Sequence, residues 1–161
     1  MVHLLINMTG VVKLAHFSVK EYLVSERIQK GVASSFSISK KVAHSLIAQT
    51  CLAYLLQFDT PGSINSSTIQ SFPLAQYAGA YWIFHVHSGD NETSPTIQKL
   101  ILNLFGCPFD NWIQLWNPDR VSRHTNLEKP LTNIAMPLYY TSLTGLQQTS
   151  TLTHFFGRRN S

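Results

Sequence analysis

Apolar and polar positions change period several times along the chain. Val11-Val12-Lys13-Leu14-Ala15-His16 is short and opens with β-branched residues. It predicts a strand closing a β-hairpin, with residues 7–10 as the turn. In Phe17-Ser18-Val19-Lys20-Glu21-Tyr22, Ser18 and Glu21 have the spacing of a capping box. The serine oxygen accepts the amide three residues on, and the glutamate reaches back to the serine amide. Phe17 and Tyr22 then stand where a hydrophobic staple forms. A helix over 19–27, ending before Gly31, is the expectation.

A Ser-rich loop over 30–38 leads, through Ser39, to Val42, Leu46, Ile47, Cys51, Leu52, Leu55, Leu56 and Phe58. That stripe is wide and predicts a helix buried on most sides. Residues 59–63 stop it. Pro73 fits the first position of a third helix. Leu74, Tyr77, Ala78, Tyr81, Trp82 and His85 follow at helical spacing, and Gly89 ends that helix. Ser94 as cap and Pro95 at the first position open a fourth, with Ile97, Leu100, Ile101, Leu104 and Phe105 on one side. A short helix over 111–116 and a loop over 117–134 come next. Two short helices, 138–143 and 147–155, flank Gly145. The fold class predicted is mainly α with a short N-terminal β-hairpin.

Composition narrows the class. Apolar residues make up 44% of the 161 residues and charged residues 12%. The first value argues against disorder; the second is about half the usual share. The longest uncharged apolar run, 42–58, contains His44, Gln49 and Gln57. It is shorter than the roughly 20 apolar residues of a bilayer span. The net charge of +4 is uneven: residues 1–41 carry +4, 42–119 carry −4 and 120–161 carry +4. No Lys or Arg lies between Lys41 and Lys99. Cys51 and Cys107 form no CxxC pair and no zinc spacing. The N-terminus lacks the basic start and apolar core of a secretory signal. Asn7, Asn65 and Asn91 begin glycosylation sequons that read as coincidences. An intracellular, cytoplasmic setting is expected.

Candidate chemistry is thin. No phosphate-binding glycine loop is present. His85 and His87, with Asp90 and Glu92, suggest a metal cluster, but residues two apart on a helix do not share a face. His16, Ser18 and Glu21 suggest a hydrolase, but the cap uses two of them and no nucleophile elbow accompanies them. The reading is non-enzymatic, with no catalytic residue, cofactor or metal. Trp82, Trp112 and Trp116, with Tyr77 and Tyr81, read as core aromatics.

The segment Leu14-Ala15-His16-Phe17-Ser18-Val19-Lys20-Glu21-Tyr22-Leu23 resembles the end of the winged-helix region of fungal NACHT–ankyrin proteins, NLR-like switches of the STAND class. The resemblance continues through Ile47-Ala48-Gln49-Thr50-Cys51-Leu52-Ala53-Tyr54, Phe72-Pro73-Leu74-Ala75-Gln76-Tyr77-Ala78, Tyr81-Trp82 and Asn111-Trp112. Pro137-Leu138-Tyr139-Tyr140-Thr141-Ser142-Leu143-Thr144-Gly145 looks like the start of an ankyrin repeat, with Gly145 and Gly157 spaced as that repeat's glycines. Met136, Tyr139 and Thr141-Ser142 depart from the repeat's Thr, His and Ala positions. The resemblance implies a winged-helix end over 1–30, a helical connector over 31–134 and a degenerate ankyrin-like pair over 135–161. It implies a connector module, as a truncated fragment, whose partners are proteins or neighbouring NACHT and ankyrin modules. Oligomerisation through exposed apolar helix faces is expected, and nucleic acid is disfavoured as a partner. The structural residues implied are Phe17, Ser18, Glu21, Tyr22, Tyr77, Tyr81, Trp82, Pro137, Gly145 and Gly157. The alternative is a nucleic-acid-binding winged-helix remnant using Lys13, Lys20, Arg27, Lys30, Lys40 and Lys41.

Overall fold

The computed structural model describes residues 4–6, 12–14, 16–89, 94–106, 108–119, 127 and 134–146. It divides into two compact units, Met1–Ala43 and His44–Ser161. In the first, β1 (Leu4–Ile6) and β2 (Val12–Leu14) pair antiparallel, with Leu5 opposite Lys13. Two short helices follow, α1 (Phe17–Leu23) and α2 (Glu26–Gln29), and then a 3₁₀ turn at Ser34–Phe36. α3 (Lys40–Leu56) runs across the division. The second unit continues with α4 (Ala75–Ser88), α5 (Pro95–Leu104), α6 (Phe109–Leu115) and α7 (Pro137–Leu143).

The expected fold class is corrected. The architecture is helical, and the strands contribute six residues. A strand pair of that size is marginal by itself, and no third strand joins it among the described residues. The second helix of the expected ankyrin-like pair, 147–155, and Gly157 lie outside the described residues.

Local chemistry also corrects the capping box. α1 begins two residues earlier than expected, and His16 is its cap, extended at φ −144° and ψ 139°. The Ser18 amide donates to His16 Nδ1 at 3.2 Å, and the Ser18 hydroxyl lies 2.7 Å from the same nitrogen. A ring nitrogen thus takes the place of the serine oxygen, and the Ser18 amide is not left for Glu21. Phe17 is 70% exposed and stacks on the His16 ring at 4.8 Å instead of closing a staple on Tyr22. The single helix expected over 19–27 is broken at Val24–Ser25, where the Ser25 hydroxyl donates to the Tyr22 carbonyl at 2.8 Å.

The core of the second unit forms around Trp112. Trp82 of α4 meets it edge to face at 5.5 Å, Phe105 at 5.7 Å and Tyr140 of α7 at 6.3 Å. Edge-to-face contact is the arrangement that ring quadrupoles favour. α5 offers Ile97, Ile101 and Leu104 to this core, the face its sequence period predicts. α4 approaches α6 closely because Gly79 has no side chain: a Cβ there would lie 3.3 Å from Leu115 Cβ. The Trp112 indole N–H then reaches the Gly79 carbonyl at 3.1 Å.

That approach sets which side of α4 faces inward. Ala75, Ala78, Gly79 and Trp82 face inward. Tyr77 and Tyr81, expected as packing residues, remain 43% and 47% exposed. Small residues allow close helix packing, with Trp82 turned inward and the two tyrosines outward. Pro73 is also not the first residue of α4, whose cap is Leu74. On α3, Leu46 and Val42 are exposed, so the helix is not buried on most sides. Pro137 does begin α7, and Gly145 follows it at φ +72°. The Leu146 amide donates to the Thr141 carbonyl and the Gly145 amide to the Ser142 carbonyl. This pairing is a Schellman closure, in which glycine carries the left-handed residue at least strain.

Candidate functional site

One group of polar side chains in the second unit meets where α3 packs on α4. His44, on α3, and His85, on α4, place their Nδ1 atoms 2.7 Å apart. The other ring nitrogen of His85 lies 2.9 Å from the Tyr77 hydroxyl, two helical turns earlier on α4. A neutral imidazole has one N–H and one lone pair. One histidine must therefore donate to the other, and that contact holds one proton. His85 uses its second nitrogen on Tyr77.

Burial, and then the nearby His44, push His85 below the usual histidine range. Burial pushes the Tyr77 phenol up, with smaller contributions from Cys51 and Tyr81. Burial likewise pushes the Cys51 thiol up. The surroundings thus favour a neutral imidazole, a phenol and a thiol. A thiol held this way is a weak nucleophile, because the thiolate is the reactive form.

Beside this relay lies a cavity of about 130 Å³ between Ile47, Thr50, Cys51 and Tyr54 of α3 and Tyr77 and Ala78 of α4, with Leu74 at its edge. Two of its polar neighbours already have partners. The Thr50 hydroxyl donates to the Leu46 carbonyl at 2.8 Å, and the Tyr77 hydroxyl is bonded to His85.

The histidines suggested as a metal pair point to different partners. His85 turns to His44 and Tyr77, whereas His87 Nε2 lies 2.9 Å from the Thr144 carbonyl. Asp90 and Glu92 lie outside the described residues, among which no cluster of metal-ligating side chains forms. Cys107 also lies outside them. Trp82 is fully buried. Ser18 and Glu21 belong to the first unit and do not enter the α3–α4 site. Among the basic residues of the alternative reading, Lys30 is paired with Glu26 at 3.3 Å. His44 was not singled out by the sequence reading. Its signal was available only as a lone histidine in an apolar stripe, a pattern that ordinary core histidines share.

No family model matches the chain, and no solved structure matches it. It is 37% identical over 147 residues to a Monascus ruber protein described as "Azaphilone pigments biosynthesis cluster protein L". The matched region is 86% of this chain and 31% of that protein. The chain thus spans about a third of the length of the curated relative it matches.

These findings overturn the NACHT–ankyrin resemblance. The winged-helix and ankyrin labels that followed from it fall with it. The blocks that suggested it are short apolar and aromatic runs at helical spacing, which many helical packings share. Among the described residues, no helix is long and apolar enough to cross a membrane.

Proposed function

We propose that this chain is a non-enzymatic helical docking section of a longer protein related to the Monascus pigment-cluster protein. The face formed by α3 and α4 meets another protein segment, and with that partner absent it meets its own copies. One observation carries this reading. Leu74, Tyr77, Tyr81 and Phe84 lie at i, i+3, i+7 and i+10 along one side of α4, and all four are at least 43% exposed. Leu46 adds an exposed apolar side chain on α3.

Large exposed apolar patches on soluble proteins mark contact surfaces. Interface centres are also depleted in charge and enriched in tyrosine and phenylalanine. Residues 42–98 contain no Lys or Arg, so long cationic side chains do not screen this face. The Cys51 thiol, the Tyr77 phenol and the His85 imidazole beside this face are all favoured in their neutral forms, so they add no charge to it. As a section of a protein like the Monascus relative, the chain serves pigment biosynthesis by holding another protein and not by bond chemistry.

Sedimentation velocity on the full chain tests this. Made alone, the chain should associate as its concentration rises. The triple variant Leu46→Ser, Tyr81→Ser, Phe84→Ser should stay monomeric with an unchanged far-ultraviolet circular dichroism spectrum. A wild-type chain that remains monomeric up to about 100 μM, well beyond common interface affinities, would overturn the reading.

A further inference from the structure

We infer that the cavity between α3 and the start of α4 is the anchor pocket of this face and takes one aromatic side chain from the partner segment. This rests on the docking reading and specifies the partner's chemistry. Leu74 and Tyr77 belong both to the exposed row and to the cavity, so a segment lying along the row passes over the opening.

Size and chemistry select the occupant. An apolar cavity of about 150 Å³ holds a benzene ring, and this one measures about 130 Å³. That size matches a single six-membered ring. The lining is almost wholly apolar, so a polar guest would lose hydrogen bonds to water and find few replacements there. Tyr54 and Tyr77 supply ring surfaces, and Cys51 supplies a polarisable sulfur, which favours contact with an aromatic guest. Binding hot spots are typically single aromatic anchors in pockets of this kind.

Cys51 reports occupancy directly, because it lines the cavity and is 5% exposed. In a Cys107→Ser background it is the sole thiol of the chain. Two probes are titrated against that variant while Cys51 labelling by a small disulfide reagent is followed. They are toluene, as a free ring, and N-acetyl-phenylalanine amide, as the side chain with its backbone. N-acetyl-alanine amide is the control.

At twice the dissociation constant, each ring probe should slow labelling about threefold, and the alanine control should leave it unchanged. Thr50→Phe, an exposed position at the rim, should fill the cavity from within and abolish the effect. Toluene itself serves as a second readout, because its binding should raise the unfolding midpoint of the unmutated chain. Labelling unchanged by toluene up to its solubility would overturn the pocket, and the association test above would still decide the face by itself. Protection by toluene with none by the phenylalanine amide would overturn the side-chain occupant in favour of a free small arene.

Discussion

The Nδ1 atoms of His44 and His85 lie 2.7 Å apart across the α3–α4 contact. Two nitrogens at that distance share one proton, and a second proton places two N–H groups against each other. The groups that face the pair are Tyr77 from α4 and, beyond it, Cys51 and Tyr81. The Tyr77 phenol and Cys51 thiol are pushed up, away from neutral pH.

Stability should therefore depend on pH through this pair. His85 is lowered from an ordinary value of 6.5. Its unfolded form binds a proton first as pH falls, so the associated stability is present above that value. It is lost as pH falls through the lowered folded value. Urea unfolding between pH 8 and pH 5 should show a falling midpoint. His44→Leu removes the neighbouring histidine's share of the shift and should flatten the profile. A His44→Leu profile parallel to the wild type would show that the pair does not set the pH dependence.

The two core tryptophans should respond differently to loss of their N–H groups. Trp112 donates to the Gly79 carbonyl at 3.1 Å, whereas the buried Trp82 nitrogen has no hydrogen-bond partner. Phenylalanine removes similar volume at both sites. Trp112→Phe also loses a hydrogen bond, and Trp82→Phe removes an unsatisfied donor. Chemical denaturation should place Trp112→Phe lower by about 1 kcal/mol. Equal losses, or a larger one at Trp82, would contradict this assignment.

Asn111 fastens the loop between α3 and α4. Its Nδ2 donates to the Phe58 carbonyl at 2.8 Å and the Thr60 carbonyl at 2.9 Å, and its Oδ1 accepts from the Gly62 amide at 3.2 Å. The side chain is 1% exposed, so water cannot replace those bonds. Asn111→Ala should cost about 2–4 kcal/mol by equilibrium unfolding, since each buried group left unpaired costs roughly 1–3. A loss under about 1 kcal/mol would show that the loop finds other partners.

How far the sequence revealed these features varied from element to element. α5 was legible because its period depends on one face, and Ile97, Ile101 and Leu104 are buried as that period requires. α4 was legible in part: Ala78, Trp82 and His85 are buried as their spacing implies, but Leu74, Tyr77 and Tyr81 of the same row are exposed. The buried face instead follows Ala75, Ala78 and Gly79, whose small size matters only once α6 lies against them. The α1 cap was misread for a local reason: His16 seldom serves as a cap, yet its ring reaches the Ser18 amide. His85 was noticed as one of two nearby histidines. Its real partner is 41 residues earlier, a separation no local motif encodes.

The α3–α4 face is tested most directly by amide hydrogen exchange on the full chain, compared at dilute and concentrated protein. Association through this face predicts that protection is gained with concentration over residues 46–54 and 74–84, with α5 and α7 unchanged. Protection gained elsewhere, with these two stretches unaffected, would contradict it.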